Sequence, residues 1–200
     1  MSEPHGYDVT ASRRIYDGRL FGLRLDTVVM PGGASAERDV FEHPGAVVVA
    51  ALDGAARLAL VRQFRHPIGR YTWELPAGLC DVADEPLPSA AARELCEETG
   101  LEAATWDTLL DLVTSPGFST EQVRVFLARD LRATDDTSYA RHHEEAEMTV
   151  RWVPIDAAVA EAFAGTLENA ATVAGVLAVA RARGSNFRGL RPADARFTSS

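Results

Sequence analysis

The stretch RELCEETG, Arg93 to Gly100, crowds three carboxylates, Glu94, Glu97 and Glu98, into the end of a segment that otherwise reads as a helix. The helix is expected from about Pro88 or Ser89 to Thr99, with Gly100 at the position that favours a left-handed cap. Glu94 and Glu98 then share one face, and Glu97 sits three residues from Glu94. Like charges at this spacing cost roughly 0.2–0.5 kcal/mol per pair. Carboxylates in a last turn also oppose the negative end of the helix dipole, at about 0.3–1 kcal/mol each. The only nearby cation, Arg93, precedes the cluster. A divalent cation resolves the conflict, because Mg²⁺ takes hard oxygen ligands together with water and phosphate. An acidic, solvated helix face accounts for the spacing equally well when the spacing is taken alone.

Two hundred residues suit one domain, with chain to spare for an arm. A hydrophobic content of 46% and a charged content of 24% are globular values. A net charge of −9 argues against a general nucleic-acid or anionic-membrane binder, although metal ions or a local arginine cluster still let an acidic protein bind a polyanion. All 20 basic residues are Arg, which reads as compositional bias. Cys80 and Cys96 have no metal-ligand spacing and read as reduced thiols of a cytoplasmic protein. The N-terminus lacks the apolar core of a secretory signal, and the run AATVAGVLAVA is too short to span a bilayer.

Residues 7–43 read as short strands with turns, and Pro44-Gly45 separates them from AVVVAAL (46–52), a continuous apolar run expected of a buried central strand. Residues 57–64 alternate like a hairpin partner to that strand, and 71–75 form another short strand. Further strands are expected at 106–114, 122–128 and 148–153, with a long polar loop before the last. Helices are expected at 156–164 and 168–183, with Arg181 and Arg183 suiting the dipole of the second, and the tail reads as frayed. The layout is α/β, a sheet packed between helices.

Residues 78–101, GLCDVADEPLPSAAARELCEETGL, resemble the Nudix box, G-x5-E-x7-R-E-U-x-E-E-x-G-U with U aliphatic. Glu85, Arg93, Glu94, Leu95, Glu97, Glu98, Gly100 and Leu101 fall into place. Six residues rather than five separate Gly78 from Glu85; either the loop is expanded by one, or Asp84 fills the Glu slot. The resemblance implies a Nudix α/β/α sandwich with a mixed sheet (44–200), and an N-terminal β arm (1–43) that dimerises the protein and completes the substrate site. It implies hydrolysis of a nucleoside diphosphate linked to another group. Glu94 and Glu98 would hold Mg²⁺, or Mn²⁺ in its place, with the carbonyl of Ala77 and with Glu97 as a further candidate. Arg93 would orient a box carboxylate.

Pro116, sixteen residues past Gly100, is similar to the mark of the ADP-ribose pyrophosphatase branch. So are WELPAGL, which puts Trp73, Glu74 and Leu79 at the substrate, and RQFRHP, which puts Arg65 on its phosphates. His66 is expected to support structure, and Phe21 or Trp73 to stack on adenine. The general base is expected from the loop ARHHEEAEM: Glu145, with Glu144 and Glu147 as alternatives. His142 and His143 lack a third ligand, so no zinc site is expected. The implied reaction is ADP-ribose plus water to AMP and ribose 5-phosphate by a homodimer. The alternatives are another nucleoside diphosphate sugar, an oxidised nucleotide, or a sensor that binds ADP-ribose without cleaving it.

Overall fold

Residues 6–134 and 148–197 are described by the structure, a computed structural model. In chain order they form β1 (Asp8–Asp17), β2 (Gly22–Val29), β3 (Ser35–Glu42), β4 (Ala46–Ala51), β5 (Arg57–Arg65), β6 (Arg70–Glu74) and β7 (Ala77–Leu79). Then follow α1 (Leu87–Thr99), β8 (Leu101–Val113), β9 (Gln122–Ala133), β10 (Thr149–Pro154), α2 (Ile155–Phe163), α3 (Ala170–Arg183) and β11 (Arg191–Pro192).

The two-sided hydrophobicity of β4 organises the layers. Val47, Val49 and Ala51 pack with Ala90, Ala91 and Leu95 of α1. Val48 and Ala50 face the other way, into a cluster with Ile155 and Ala158 of α2 and Val176 and Val179 of α3. A strand alternates its side chains between faces, so a continuous apolar run fits only where both faces are covered. β4 lies inside a five-stranded sheet of order β11-β8-β9-β4-β7. Its pairing with β9 is parallel and the other pairings are antiparallel, so the sheet is mixed. This is the expected α/β/α sandwich.

Three expectations are corrected. β5 is not the hairpin partner of β4: they share one isolated bridge, Leu52 to Leu58, and β5 instead centres a second sheet of order β10-β5-β6. Leu58, Ala59, Leu60 and Val61 are all buried, so β5 is covered on both faces, and the edges of β4 are already taken by β7 and β9. β8 starts at Leu101 rather than Trp106, because Gly100 at φ 70 reverses the chain without a loop. The tail is docked rather than frayed: β11 pairs with β8, and the buried Arg124 of β9 donates to the carbonyl of Ala195 through Nη1 at 2.5 Å.

β1, β2 and β3 form a separate antiparallel sheet, with β1 exposed along its whole length. Phe41 joins this sheet to the turn between β8 and β9: its N–H donates to Phe118 O at 2.7 Å and its carbonyl accepts from Thr120 N at 2.9 Å. Among the described residues no helix is long and apolar enough to cross a membrane.

Candidate active site

The buried stripe of α1 runs through Ala91 and Leu95 to Glu98, so helical spacing itself carries Glu98 inward until it is only 4% exposed. The N–H of Ala77 donates to its Oε2 at 3.0 Å. One turn earlier, Glu94 lies directly over Gly78. A Cβ built on Gly78 would stand 1.9–2.4 Å from the atoms of the Glu94 carboxyl group, well inside van der Waals contact. The box therefore needs glycine here for close approach. Gly78→Ala is expected to displace Glu94 and lower turnover by roughly 10²-fold, the loss typical of misplacing one reacting group. The check is a kinetic assay beside a circular-dichroism melt, with the fold retained.

Arg93 is more than a neighbour that precedes the acids. Its Nε and Nη2 grip Glu85 at 3.1 and 3.0 Å, and its Nη1 donates to Glu94 at 2.7 Å and to Glu97 at 3.1 Å. One guanidinium thus answers much of the repulsion that the spacing implied, by reaching along the helix rather than following it. Its hydrogen bonds to Glu85 raise the pKa of Arg93, and the Glu85 carboxyl is in turn held below its ordinary value. Glu85, and not Asp84, is the acid that Arg93 grips. The one-residue expansion is absorbed in the turn before α1, where Asp84 adopts φ 60.

Glu94, Glu97 and Glu98, with Arg93, line a cavity of about 1030 Å³. Arg65 of β5 and Glu74 of β6 line the same cavity. Glu74 is 2% exposed and accepts from Arg65 Nε at 2.9 Å and Nη2 at 2.7 Å, from Thr72 Oγ1 at 2.5 Å and from Asn169 Nδ2 at 2.9 Å. Burial alone would raise the Glu74 pKa, but the hydrogen bonds from Arg65 and Thr72, with the charge of Arg65, bring it below the ordinary value. Arg65 therefore reaches the cavity with its fork on Glu74.

Leu79 also lines the cavity, as do Arg19 and Leu20 from the turn of the N-terminal sheet. Trp73 and Pro116 are not among its lining residues. Trp73 lies on the opposite face of β6 from Glu74, with the Arg151 guanidinium 4.2 Å from its ring centroid, and Pro116 is exposed in the turn between β8 and β9. Phe21 packs on Phe41 at 4.7 Å rather than on the cavity wall, and His66 lies exposed in a short 3-10 turn. Glu144, Glu145 and Glu147, with His142 and His143, lie outside the described residues. Thr72 and Asn169 escaped the sequence reading. The two-residue period of β6, which puts Thr72 beside Glu74, was the available signal for the first.

Among the described residues no group of three or more His, Cys, Asp or Glu side chains could hold a metal ion by itself. A Mg²⁺-type cation does not require such a cage, because it takes one or two carboxylates and completes its shell with water and substrate phosphate. Glu94 and Glu98, one turn apart at a cavity wall, fit such an ion by their hard oxygen donors.

The model for the NUDIX domain matches residues 42–174. The chain belongs to the Nudix family. It is 48% identical over 190 residues, 95% of this chain and 90% of the other, to an ADP-ribose pyrophosphatase of Mycobacterium tuberculosis. An ADP-ribose pyrophosphatase of Bacillus subtilis is 38% identical over 126 residues, 63% of this chain and 68% of the other. The crystal structure of an ADP compounds hydrolase shares the fold, with a TM-score of 0.76 at 18% identity over 92% of this chain and 98% of that one.

Proposed function

We propose that the chain is a Mg²⁺-dependent ADP-ribose pyrophosphatase that converts ADP-ribose and water to AMP and ribose 5-phosphate. The observation that carries this reading is the 48% identity to the Mycobacterium tuberculosis enzyme along 95% of the chain. It is joined by a box whose acids face a cavity large enough for a dinucleotide-sized ligand.

Glu94 and Glu98, with the carbonyl of Ala77, are the residues to hold Mg²⁺, with Glu97 a weaker candidate for the same shell, and Mn²⁺ is expected to substitute. Bound there, the ion supplies neutralisation of diphosphate charge, polarisation of the phosphoryl oxygen and acidification of water. Arg93 keeps Glu94 and Glu97 oriented through Nη1. Arg65 offers a planar cation to the phosphates from the lining of the same cavity. Glu145, or its neighbour Glu144 or Glu147, accepts the proton of the attacking water. Trp73, Glu74, Leu79 and Pro116 complete the substrate-binding set; Trp73 and Pro116 would have to reach substrate from outside the present lining. The Nudix domain is assigned to 44–200 and the arm to 1–43, with the exposed β1 of the arm as a surface for a homodimer. The free thiols of Cys80 and Cys96 favour a cytoplasmic location.

Purified protein with Mg²⁺ and ADP-ribose is expected to release AMP and ribose 5-phosphate, read by chromatography, and to do so faster than with ADP-glucose or an oxidised nucleotide. A higher kcat/KM on either competitor reassigns the substrate. Binding without turnover makes the protein a sensor.

A further inference from the structure

We infer that Asn169, the N-cap of α3, is a positioning residue that sets the orientation of Arg65 in the cavity by way of Glu74. The side chain of Asn169 works at both ends. Its Oδ1 accepts from the N–H of Thr172 at 2.9 Å, which caps the helix, while its Nδ2 donates to Glu74 Oε2 at 2.9 Å. That same Oε2 receives Arg65 Nη2 at 2.7 Å. The next link fastens the helix to the strand: Thr172, itself buried, accepts from the N–H of Leu75 through Oγ1 at 3.0 Å. Beside it, Glu168 receives Nε and Nη2 of Arg70 at 3.0 and 2.6 Å, and Arg70 is the register partner of Arg65 across the β5–β6 hairpin.

A capping residue needs an oxygen and no more. Ser, Thr, Asp and Asn all cap well, so the amide of Asn169 is surplus to the helix and is spent on Glu74. Glu74, 2% exposed, is too buried for water to replace a lost donor freely, so its geometry, and that of the guanidinium it grips, depends on each partner. Arg65, with a side chain 40% exposed, lays Nε and Nη2 on the two oxygens of that carboxylate, so a turn of Glu74 carries the plane of the guanidinium with it.

The inference rests on the functional reading above, and Asn169→Ser separates the two. This variant keeps a capping oxygen and removes the reach to Glu74. It is expected to stay folded with Tm lowered by only several degrees, the cost of one hydrogen bond to a carboxylate that keeps its other donors, to raise KM for ADP-ribose roughly tenfold, the factor that about 1.4 kcal/mol represents, and to leave kcat within about twofold. In an Arg65→Lys background, where the fork that Glu74 orients is gone, the same substitution is expected to change KM less than about twofold. ADP-ribose affinity measured by calorimetry in EDTA, which needs no turnover, should fall by the same factor as KM rises. Unchanged KM in Asn169→Ser overturns the inference, and so does a tenfold effect that persists undiminished beside Arg65→Lys. Asn169→Ala, which loses cap and donor together, is expected to lower Tm further than Asn169→Ser; if its KM rises while that of Asn169→Ser does not, the cap alone matters and the inference fails. A protein that binds ADP-ribose without cleaving it sinks the functional reading but leaves the calorimetric arm to decide this one. A protein that neither binds nor cleaves it sinks both.

Discussion

Glu98→Gln is expected to cut turnover of ADP-ribose by roughly 10²–10³-fold, the loss seen when one group that stabilises transition-state charge is removed, while the protein melts within about 2 °C of the unsubstituted chain. Both halves come from one set of contacts. Glu98 sits 4% exposed on the buried stripe of α1, and its Oε2 accepts the N–H of Ala77 at 3.0 Å. A glutamine has the same shape and keeps an acceptor oxygen for that N–H, so the helix stays seated. What is lost is the negative charge that a divalent cation needs in this cavity. Glu97 supplies the internal comparison. It is held by Arg93 Nη1 at 3.1 Å with a side chain 25% exposed, so Glu97→Gln is expected to cost less than about tenfold. Steady-state kinetics and Mn²⁺ titration of each variant check the ranking. Full activity in Glu98→Gln would refute the assignment of Glu98 to the metal.

The helix and its acids were legible because their cause is local. Gly100 marks a left-handed cap by its lack of a Cβ, and i, i+4 spacing alone places Glu94 and Glu98 together. The central strand was legible because AVVVAAL admits few environments other than two covered faces. What escaped the sequence depends on contacts between distant segments. Glu74 and Asn169 are 95 residues apart and meet only because the N-terminus of α3 is seated at the end of β6. The placement of β5 was obscured because a run of buried residues says that a strand is covered, not which strand it pairs with. Pairing is decided by the edges left open elsewhere. The tail looked frayed for a related reason: RGLRPADARF has no periodic apolar pattern, and its anchor, Arg124, is a charged residue within a strand.

That anchor leads to the largest expected change in stability. Asp111→Ala is expected to destabilise the protein by about 3–5 kcal/mol, the cost of removing one partner of a buried ion pair. At this chain length that corresponds to a melting-temperature loss of roughly 6–20 °C. Asp111 receives Arg124 Nε at 2.7 Å and Nη2 at 3.2 Å, and Arg191 Nη1 at 2.7 Å. Both side chains of the Asp111–Arg124 pair are nearly inaccessible, 6% and 3% exposed, so alanine would strand a guanidinium where water cannot reach it. The pair of Arg132 and Glu102, with side chains 77% and 36% exposed, is worth at most about 1 kcal/mol, and Glu102→Ala serves as the control. Acid should erase the difference. Burial of Asp111 on its own would raise its pKa, but the hydrogen bonds from Arg124 and Arg191 bring it below the ordinary value. A carboxyl lowered on folding contributes stability that is complete above its unfolded value, about 3.9, and disappears as pH falls through the lower folded value. The gap in denaturant midpoint between Asp111→Ala and the unsubstituted protein is therefore expected to be full at pH 7 and to narrow only below about pH 4. A gap that stays constant to pH 2 would mean that Asp111 acts through packing rather than through its charge.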